Sequence, residues 1–260
     1  MNRLSICVIT LNEEQDLPRM LKSVEGLAEE IVLVDSGSTD RTREIAQAAG
    51  ARVLFRQWTG YSDQRNFAAE QAANDWIFVI APDEELSPEL RGSLLKWKTQ
   101  DPEFSAYEMA RMAWFLGGWV HHSRWYPDWQ RRLYDRRKTK FTGLIHESLD
   151  FPGKIDRLNG DLLHYTVRNL RELLEKKEEY STLAARSLFE KGIRHWRAAK
   201  WLATPWTWIQ YFVLGTGFLD GYRGLVIAKL ASQTVWLKYT KLGALIQQTA
   251  IEKRTTMTSK

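Results

Sequence analysis

Cysteine is almost absent from this chain, since Cys7 is the single one among 260 residues. This excludes an intramolecular disulfide framework and a cysteine-rich zinc module, and it agrees with a cytoplasmic protein. Long apolar runs are scarce as well. The N-terminal run is too short for a secretory signal and ends at Glu13. The longest apolar stretch, 201–219, contains Pro205 and Gln210, which disfavours a membrane span and favours an interfacial or packed helix.

Acidic residues are scarce in the second half of the chain. Residues 1–130 carry 13 Lys and Arg against 20 Asp and Glu, a net charge of −7, whereas residues 131–260 carry 24 against 12, a net charge of +12. Four of the 12 tryptophans lie within 196–208, among these basic residues. The pattern predicts an anionic partner, either a membrane surface or an anionic acceptor. Nucleic acid is not expected, because no nucleic-acid-binding signature is present.

What the chain does contain is an ordinary globular balance, 44% hydrophobic and 27% charged, which excludes a disordered chain. Strand and helix signals alternate over the first hundred residues, and Ser87 is expected to cap a helix. Such alternation predicts an α/β fold with a parallel sheet and helices on both faces. Ligands of such sheets bind beyond the carboxyl ends of the strands, here 10–14, 35–40 and 81–85. The strands are predicted at 4–10, 31–34, 51–55 and 76–80.

The later part of the chain reads differently. A strand is expected at 106–115, and the segment 119–150 is interpreted as loop-rich, with aromatic, His and Arg residues. Helical patterns follow from residue 169 onward. We therefore expect two domains: an α/β domain over 1–168 and a basic, Trp-rich helical region over 169–260 that faces the membrane or the acceptor.

Three motifs occur in order near the predicted strand ends: SICVITLNEE over Ser5–Glu14, EIVLVDSGSTDRT over Glu30–Thr42, and YSDQRNFA over Tyr61–Ala68. Together they resemble the nucleotide-binding half of family 2 glycosyltransferases, which have the GT-A fold. The resemblance extends over about residues 1–190, and the closest subgroup is the lipopolysaccharide core β-glucosyltransferase type. The later segments that resemble this subgroup are Trp125–Leu133, His146–Glu147 and Leu162–Tyr165.

The resemblance implies a Rossmann-like mixed, mostly parallel sheet with flanking helices, followed by a C-terminal helical region. It also implies an inverting, metal-dependent glycosyltransferase that uses Mg²⁺ or Mn²⁺. Such an enzyme would move a hexose, expected to be glucose, from a UDP-sugar to a lipid-linked anionic glycan such as the lipopolysaccharide inner core. We expect it to be cytoplasmic and peripheral on the inner face of the cytoplasmic membrane; a homo-oligomer is left open.

For the nucleotide, the resemblance puts Asp35 at the uracil, Glu13 near the ribose and Arg65 over the base or near the phosphates. A carboxylate at a strand end can accept a hydrogen bond from the uracil N3–H. Alternatively, Asp35 starts an Asx turn into the SGSTD segment. The nucleotide-binding residues that we predict are Thr10, Asn12, Glu13, Asp35, Ser36, Arg65 and Asp83.

The loop IAPDEE departs from the Asp-x-Asp pattern of the family, because Ala81 stands where the first Asp is expected. By the resemblance, Asp83 contacts the divalent metal that bridges the diphosphate, and His164 is a candidate further metal contact. One retained carboxylate could still hold Mg²⁺ together with the diphosphate, but more weakly than two. Glu84 or Glu85 could replace the missing carboxylate. The structural alternative is a helix-entry loop with acidic residues in the first turn.

Transfer with inversion requires a general base and cationic stabilisation of the leaving diphosphate. Glu147 is our first candidate base and Asp128 the second, and His146 could orient a phosphate or bind metal. Arg131 and Arg132 are candidates for the diphosphate, because guanidinium suits phosphate geometry. Each of these residues has a structural alternative, in a turn or in a basic exposed loop.

Two functions of other classes remain open. The missing Asp at Ala81 favours a catalytically impaired nucleotide-sugar-binding protein, which restoring an Asp there would reveal. The basic helices alternatively suggest a scaffold that joins a membrane complex.

Overall fold

The computed structural model describes residues 1–143, 148–150, 153–166 and 170–258. The strands are β1 Leu4–Thr10, β2 Glu30–Asp35, β3 Arg52–Phe55, β4 Trp76–Val79, β5 Glu84–Leu86, β6 Ala106–Phe115, β7 Gly118–Val120, β8 Asp128–Asp135, β9 Lys140–Thr142, β10 Ser148–Asp150 and β11 Asp156–His164. The α-helices are α1 Leu17–Ser23, α2 Thr42–Ala48, α3 Tyr61–Gln71, α4 Pro88–Lys98, α5 Leu170–Glu190, α6 Trp196–Ile209 and α7 Tyr222–Thr258. A π-helical turn, Gln210–Leu214, and a 3₁₀ turn, Gly217–Asp220, join α6 to α7.

The main sheet is mixed. Among the described residues its strand order is β3-β2-β1-β4-β8-β6-β11-β5, with β7 paired to β6. Strands β1 to β4 run parallel to their neighbours in this group, and β11 is parallel to β6, whereas β8 and β5 are antiparallel to the strands beside them. Strands β9 and β10 form a separate antiparallel pair. The α/β fold that the sequence predicts is thus confirmed.

The core follows from the apolar strands at the centre of the sheet. Every residue of β1 except Ile9 is buried, because helices cover both faces of a parallel strand. One cluster lies on one face around β1, α1 and α4, and includes Leu17, Phe78 and Trp97. The other lies on the opposite face against α3 and includes Val34 and Tyr134. This two-sided core holds the strand ends rigidly.

Six of these strands were not predicted, and three of the six, β5, β8 and β11, matter for the site. The segment interpreted as loop-rich, 119–150, contains β8, and the sheet also includes β5 and β11. The first half of β8 alternates half-buried and exposed residues, with no apolar run to indicate a strand. Its second half buries two polar side chains, Arg132 and Asp135, which are 3% and 1% exposed. Charged residues inside a sheet hide the apolar pattern on which strand prediction depends.

The chain divides into two compact units: Met1–Ala113 with Pro127–Tyr165, and Trp114–Tyr126 with Thr166–Lys260. The sequence predicts the boundary near residue 168 and therefore puts Trp114–Tyr126 in the first domain. In the structure this segment belongs to the second unit. In the second unit, Phe115 packs with Ile227 and Leu230 of α7 in a small core of its own. No helix in the described part of the chain is both long and apolar enough to cross a bilayer.

Candidate active site

The carboxyl ends of β1, β2 and β4 lie at one edge of the sheet, as the sequence predicts. Strands β1 and β2 are parallel neighbours in which Thr10 pairs with Asp35, and β4 is the neighbour of β1 on its other side. The three polar segments that follow these strands therefore start from adjacent positions. This edge is the candidate site in the first unit.

Asp35 is the central carboxylate of the predicted nucleotide loop and is fully buried. Its Oδ1 accepts hydrogen bonds from the backbone N–H groups of Gly37 at 3.0 Å and Ser38 at 2.9 Å. Its Oδ2 accepts a hydrogen bond from the hydroxyl of Thr10 at 3.1 Å and another from the hydroxyl of Ser38. The Asx-turn interpretation thus describes this loop, and contact between Asp35 and a base stays a prediction.

Asn12 joins the loop after β1 to the loop after β2. It has a left-handed backbone, with φ of 57°, which Asn tolerates better than most residues. Its N–H donates to the hydroxyl of Ser38 at 2.8 Å, and its side-chain oxygen accepts the N–H of Thr39 at 2.9 Å. The next residue, Glu13, donates its N–H to the hydroxyl of Thr42 at 2.7 Å. The first two sequence motifs therefore form one hydrogen-bonded surface.

Helix α3 is attached to this surface through Gln64, which is fully buried. Its amide nitrogen lies within hydrogen-bond distance of the hydroxyl of Ser36, at 3.2 Å, and of the carbonyl of Arg56, at 3.1 Å. The neighbouring Arg65 has its guanidinium carbon 5.1 Å from the centre of the Phe141 ring. The third motif thus lies beside the predicted nucleotide loop, and the contact of Arg65 with a nucleotide stays a prediction.

Asp83 and His164 come together, although they are 81 residues apart. His164 Nε2 lies 3.1 Å from Asp83 Oδ2, and the Asp83 side chain is 34% exposed. The N–H of Tyr165 donates to the carbonyl of Asp83 at 3.0 Å, which fixes the loop against the end of β11. An accessible carboxylate beside an imidazole suits a divalent cation that takes its remaining ligands from phosphate and water. The sequence predicts these two residues as metal ligands; the structure brings them together, and metal binding stays a prediction.

Glu84 lies next to Asp83 and points into the protein, where it is fully buried. Its Oε1 is 2.8 Å from a guanidinium nitrogen of Arg132 and 3.4 Å from one of Arg111, and its Oε2 accepts the N–H of Ala81 at 2.9 Å. Burial by itself would raise the pKa of Glu84, but the charges of Arg132 and Arg111 outweigh it and lower the pKa to about 2. Glu84 therefore fixes the turn that carries Asp83.

Neither acidic neighbour of Asp83 replaces the carboxylate missing at position 81. Glu84 is engaged internally, and Glu85 accepts a hydrogen bond from the Tyr165 hydroxyl at 3.2 Å and lies 3.6 Å from Arg19. In the part of the chain that the structure describes, no cluster of three or more His, Cys, Asp or Glu residues is arranged for a metal ion. The suggested compensation by Glu84 or Glu85 is thus wrong for these placements.

Asp128 is held by Arg111. Its Oδ2 accepts two hydrogen bonds from the Arg111 guanidinium, at 2.9 and 2.6 Å, and its Oδ1 accepts one from the Gln130 amide at 2.9 Å. A base needs a free lone pair for the acceptor hydroxyl, and both carboxylate oxygens of Asp128 already accept hydrogen bonds. This arrangement favours a positioning part for Asp128. Glu147 and His146, the other catalytic candidates, lie outside the described residues.

The two arginines predicted to meet the diphosphate are not brought together. They are successive residues of β8 at an irregularity in its pairing with β6, and they contact different partners. Arg132 is buried against Glu84, whereas Arg131 is exposed and donates to the carbonyl of Leu149 at 3.4 Å. Arg132 thus supports the loop that carries Asp83 from behind, and the contact of either arginine with a diphosphate stays a prediction.

Arg111 is the residue of this site that sequence reasoning missed. Burial alone would lower the pKa of its guanidinium, but Glu84 and Asp128 raise it, so that it bridges both carboxylates as a cation. A sequence signal existed, since Arg111 stands in the middle of the apolar strand AYEMARMAWF. A charge buried in a strand requires a charged partner.

Comparisons with known proteins agree with the motifs. The sequence model of Glycosyl transferase family 2 matches residues 5–148. An uncharacterized glycosyltransferase of Rickettsia typhi is 31% identical over 93% of this chain and 87% of its own length. A lipopolysaccharide core biosynthesis glycosyltransferase of Rhizobium meliloti is 32% identical over 91% of this chain and 93% of its own length.

Among solved structures, Staphylococcus aureus TarS 1–349 in complex with UDP-GlcNAc aligns over 95% of this chain and 92% of its own. The identity is 14% and the TM-score 0.48, too distant to transfer a ligand. The family model spans more than half of this chain, and the two relatives span nearly all of it. The chain therefore belongs to glycosyl transferase family 2.

Proposed function

We propose that this chain is an inverting hexosyltransferase that moves glucose from UDP-glucose to a lipid-linked glycan of the lipopolysaccharide inner-core class. The observation that carries the proposal is the pair formed by Asp83 and His164 at the carboxyl edge of the sheet. Family membership supports the reaction class. The Rhizobium meliloti relative, whose name assigns it to lipopolysaccharide core biosynthesis, supports the acceptor class.

The donor nucleotide would occupy the surface made by the first two motifs. Thr10, Asn12, Glu13, Asp35 and Ser36 form or adjoin it, and Arg65 lies on the helix attached to it. The internal hydrogen bonds of this surface preorganise the loop before a ligand binds, which reduces the entropy lost on binding. We propose that the uracil and ribose lie against this surface and that the diphosphate extends toward Asp83.

Asp83 and His164 would hold the divalent cation, Mg²⁺ or Mn²⁺. When bound, the cation supplies positive charge that offsets the charge on the departing diphosphate. Glu84 keeps Asp83 in place through the turn at Ala81. This residue set provides one carboxylate for the cation, and we expect the diphosphate itself to complete its ligands.

For the acceptor, we propose Glu147 as the base. It would take the proton of the acceptor hydroxyl as the new bond forms at the anomeric carbon and UDP leaves from the opposite face. Arg111 would act as a positioning residue that holds Asp128 beside the acceptor. We further propose that the chain works peripherally at the inner face of the cytoplasmic membrane, where a lipid-linked acceptor is found.

The direct experiment is transfer of radiolabelled glucose from UDP-glucose to lipopolysaccharide truncated to its inner core. We expect labelled lipopolysaccharide with a β-linked glucose. Glu147→Gln should reduce the rate about 10²- to 10⁴-fold, the usual contribution of a positioned base. Asp128→Asn is the matched control and should reduce it less. An undiminished rate of transfer by Glu147→Gln would refute the proposal that Glu147 is the base. Release of UDP without labelled glycan would refute the proposed acceptor class.

A second candidate function is a nucleotide-sugar-binding protein with little catalysis, and Ala81 favours it. Two measurements distinguish the transferase from the binding protein: UDP-glucose binding by calorimetry and glucose transfer. Both are made for the wild type and for Ala81→Asp. Binding without transfer in the wild type, together with transfer in Ala81→Asp, supports the binding protein. Transfer by the wild type excludes it.

A further inference from the structure

Helix α6 presents an apolar side that nothing in the second unit covers. None of its residues is buried. Leu202, Trp206, Ile209 and Val213 follow one another at spacings of four, three and four residues, and therefore lie on one side of a helix. Their exposed fractions are 72%, 52%, 37% and 46%. A helix that packs only within a globular protein turns such a side toward the core.

The exposed apolar surface continues past the end of α6 into the turns that lead to α7. Leu214, Leu219 and Tyr222 are 63%, 61% and 72% exposed. Exposed apolar side chains concentrated in one short stretch of chain indicate a site of interaction rather than ordinary surface. We call this surface the apolar face. Its residues are Trp201, Leu202, Trp206, Ile209, Val213, Leu214, Phe218, Leu219, Tyr222 and Leu225.

The chain segment that carries the apolar face is almost entirely basic. Residues 191–251 contain eight Lys and Arg and a single acidic residue, Asp220. That residue is turned inward: its side chain is 3% exposed, and its carboxylate accepts the N–H groups of His121 at 3.1 Å and His122 at 3.0 Å. The segment thus offers no accessible carboxylate, and it would attract an anionic surface.

Cations stand beside aromatic rings at the start of α6. Lys200 Nζ is 4.2 Å from the centre of the Trp236 ring, and the guanidinium carbon of Arg197 is 5.2 Å from that of Trp196. The edge of Trp201 meets Trp236 with ring centres 5.0 Å apart. Tryptophan rings with Lys and Arg beside an exposed Leu and Val side are typical of helices that lie in the headgroup region of a membrane.

We propose that the apolar face is a docking surface for an anionic lipid bilayer, with α6 lying in the plane of the interface. The inference rests on the proposed function and deepens it by naming the surface and the lipid charge. A second copy of the chain is disfavoured as the occupant, because two copies of this basic segment would repel one another. Nucleic acid would satisfy the charges but would leave the Leu and Val side chains in water.

The test is flotation of the full chain with phosphatidylcholine vesicles, with and without phosphatidylglycerol. We expect binding only when phosphatidylglycerol is present. The double variant Leu202→Ser/Trp206→Ser should reduce the bound fraction about tenfold or more, since apolar burial and charge both contribute. Arg197→Gln/Lys200→Gln should weaken binding and make it less sensitive to salt.

The matched control is Tyr180→Ser/Leu183→Ser, which removes an exposed aromatic residue and an exposed leucine from α5 and should bind as the wild type does.

Hydrogen exchange of the wild type on vesicles gives a result that does not depend on any variant. Protection within 196–225 supports the proposal, and protection confined to other segments overturns it. Equal flotation of the wild type and Leu202→Ser/Trp206→Ser also overturns it. Two further results would overturn it. One is a wild-type dimer in light scattering that is absent in Leu202→Ser/Trp206→Ser, and the other is tighter binding to DNA than to the vesicles. Because no donor is present, loss of glucose transfer with intact flotation would refute only the proposed function.

Discussion

At the scale of single residues, Glu84 is the buried carboxylate on which the loop that carries Asp83 depends. It joins Arg132 and Arg111 to the turn at Ala81, and thereby holds Asp83 at the surface. The sequence places it among three consecutive acidic residues, where a role in binding metal is the natural expectation. Two arginines, Arg111 and Arg132, turn the Glu84 side chain toward the core. Both are distant from Glu84 in the sequence, so the sequence alone does not show that they pair with it.

Replacing Glu84 tests this role. Glu84→Gln leaves the guanidinium of Arg132 buried without its countercharge, and the free energy of unfolding should fall by about 3 to 5 kcal/mol. Glu85→Gln, in the next position but partly exposed, should change it by less than about 1 kcal/mol. Urea unfolding followed by circular dichroism measures both. Equal losses in the two variants would contradict the account of Glu84.

The lowered pKa of Glu84 also predicts a dependence of stability on pH. Because the pKa is about 2 in the folded chain and 4.5 ordinarily, the contribution of Glu84 is complete above pH 4.5 and is lost as the pH falls toward 2. The difference in unfolding free energy between wild type and Glu84→Gln should shrink across that window by on the order of 3 kcal/mol. A difference that stays constant over the window would show that the carboxylate is not specially stabilised.

At the scale of elements, the apolar strands β1 to β4 and β6 were predictable, whereas β5, β8 and β11 were not. Strands β1, β2 and β4 are apolar runs followed by polar loops, so their order and the ligand edge follow from local pattern. Strand β8 carries Asp128 and Arg132, whose ion pairs depend on partners from β6 and β5. That dependence is tertiary, so no local periodicity revealed it. His164 illustrates the same limit, since only the pairing of β11 with β5 brings it to Asp83.

The contact between β11 and α4 gives a prediction at this scale. Gly160 lies at an irregularity of β11 with φ of +95°, and a Cβ there would be 2.1 Å from the backbone nitrogen of Leu90. Gly160→Ala should therefore destabilise the chain by about 2 to 4 kcal/mol. Gly92→Ala is the control within α4, where a Cβ meets nothing within 4 Å, and it should stabilise by about 0.5 to 1 kcal/mol. Thermal unfolding distinguishes them, and a neutral Gly160→Ala would refute the close approach.

At the scale of the whole molecule, two units with different chemistry are joined in one chain. The first carries the strand-edge site, and the second carries a basic segment whose single acid is internal. The charge asymmetry between the halves was visible in the sequence. The assignment of Trp114–Tyr126 to the second unit was not, because that segment packs with helices about a hundred residues later, as Phe115 does with Ile227.

The central claim is that transfer depends on a divalent cation held by Asp83 and His164. It is tested most directly by the initial rate of glucose transfer from UDP-glucose, measured with EDTA and again after Mn²⁺ is restored, for wild type, Asp83→Asn, His164→Gln and the control Glu85→Gln. We predict that EDTA abolishes transfer by the wild type and that Mn²⁺ restores it. The rate should fall at least about 100-fold in Asp83→Asn, less in His164→Gln, and little in Glu85→Gln. Transfer at the full rate in EDTA, or an undiminished rate in Asp83→Asn, would contradict the account.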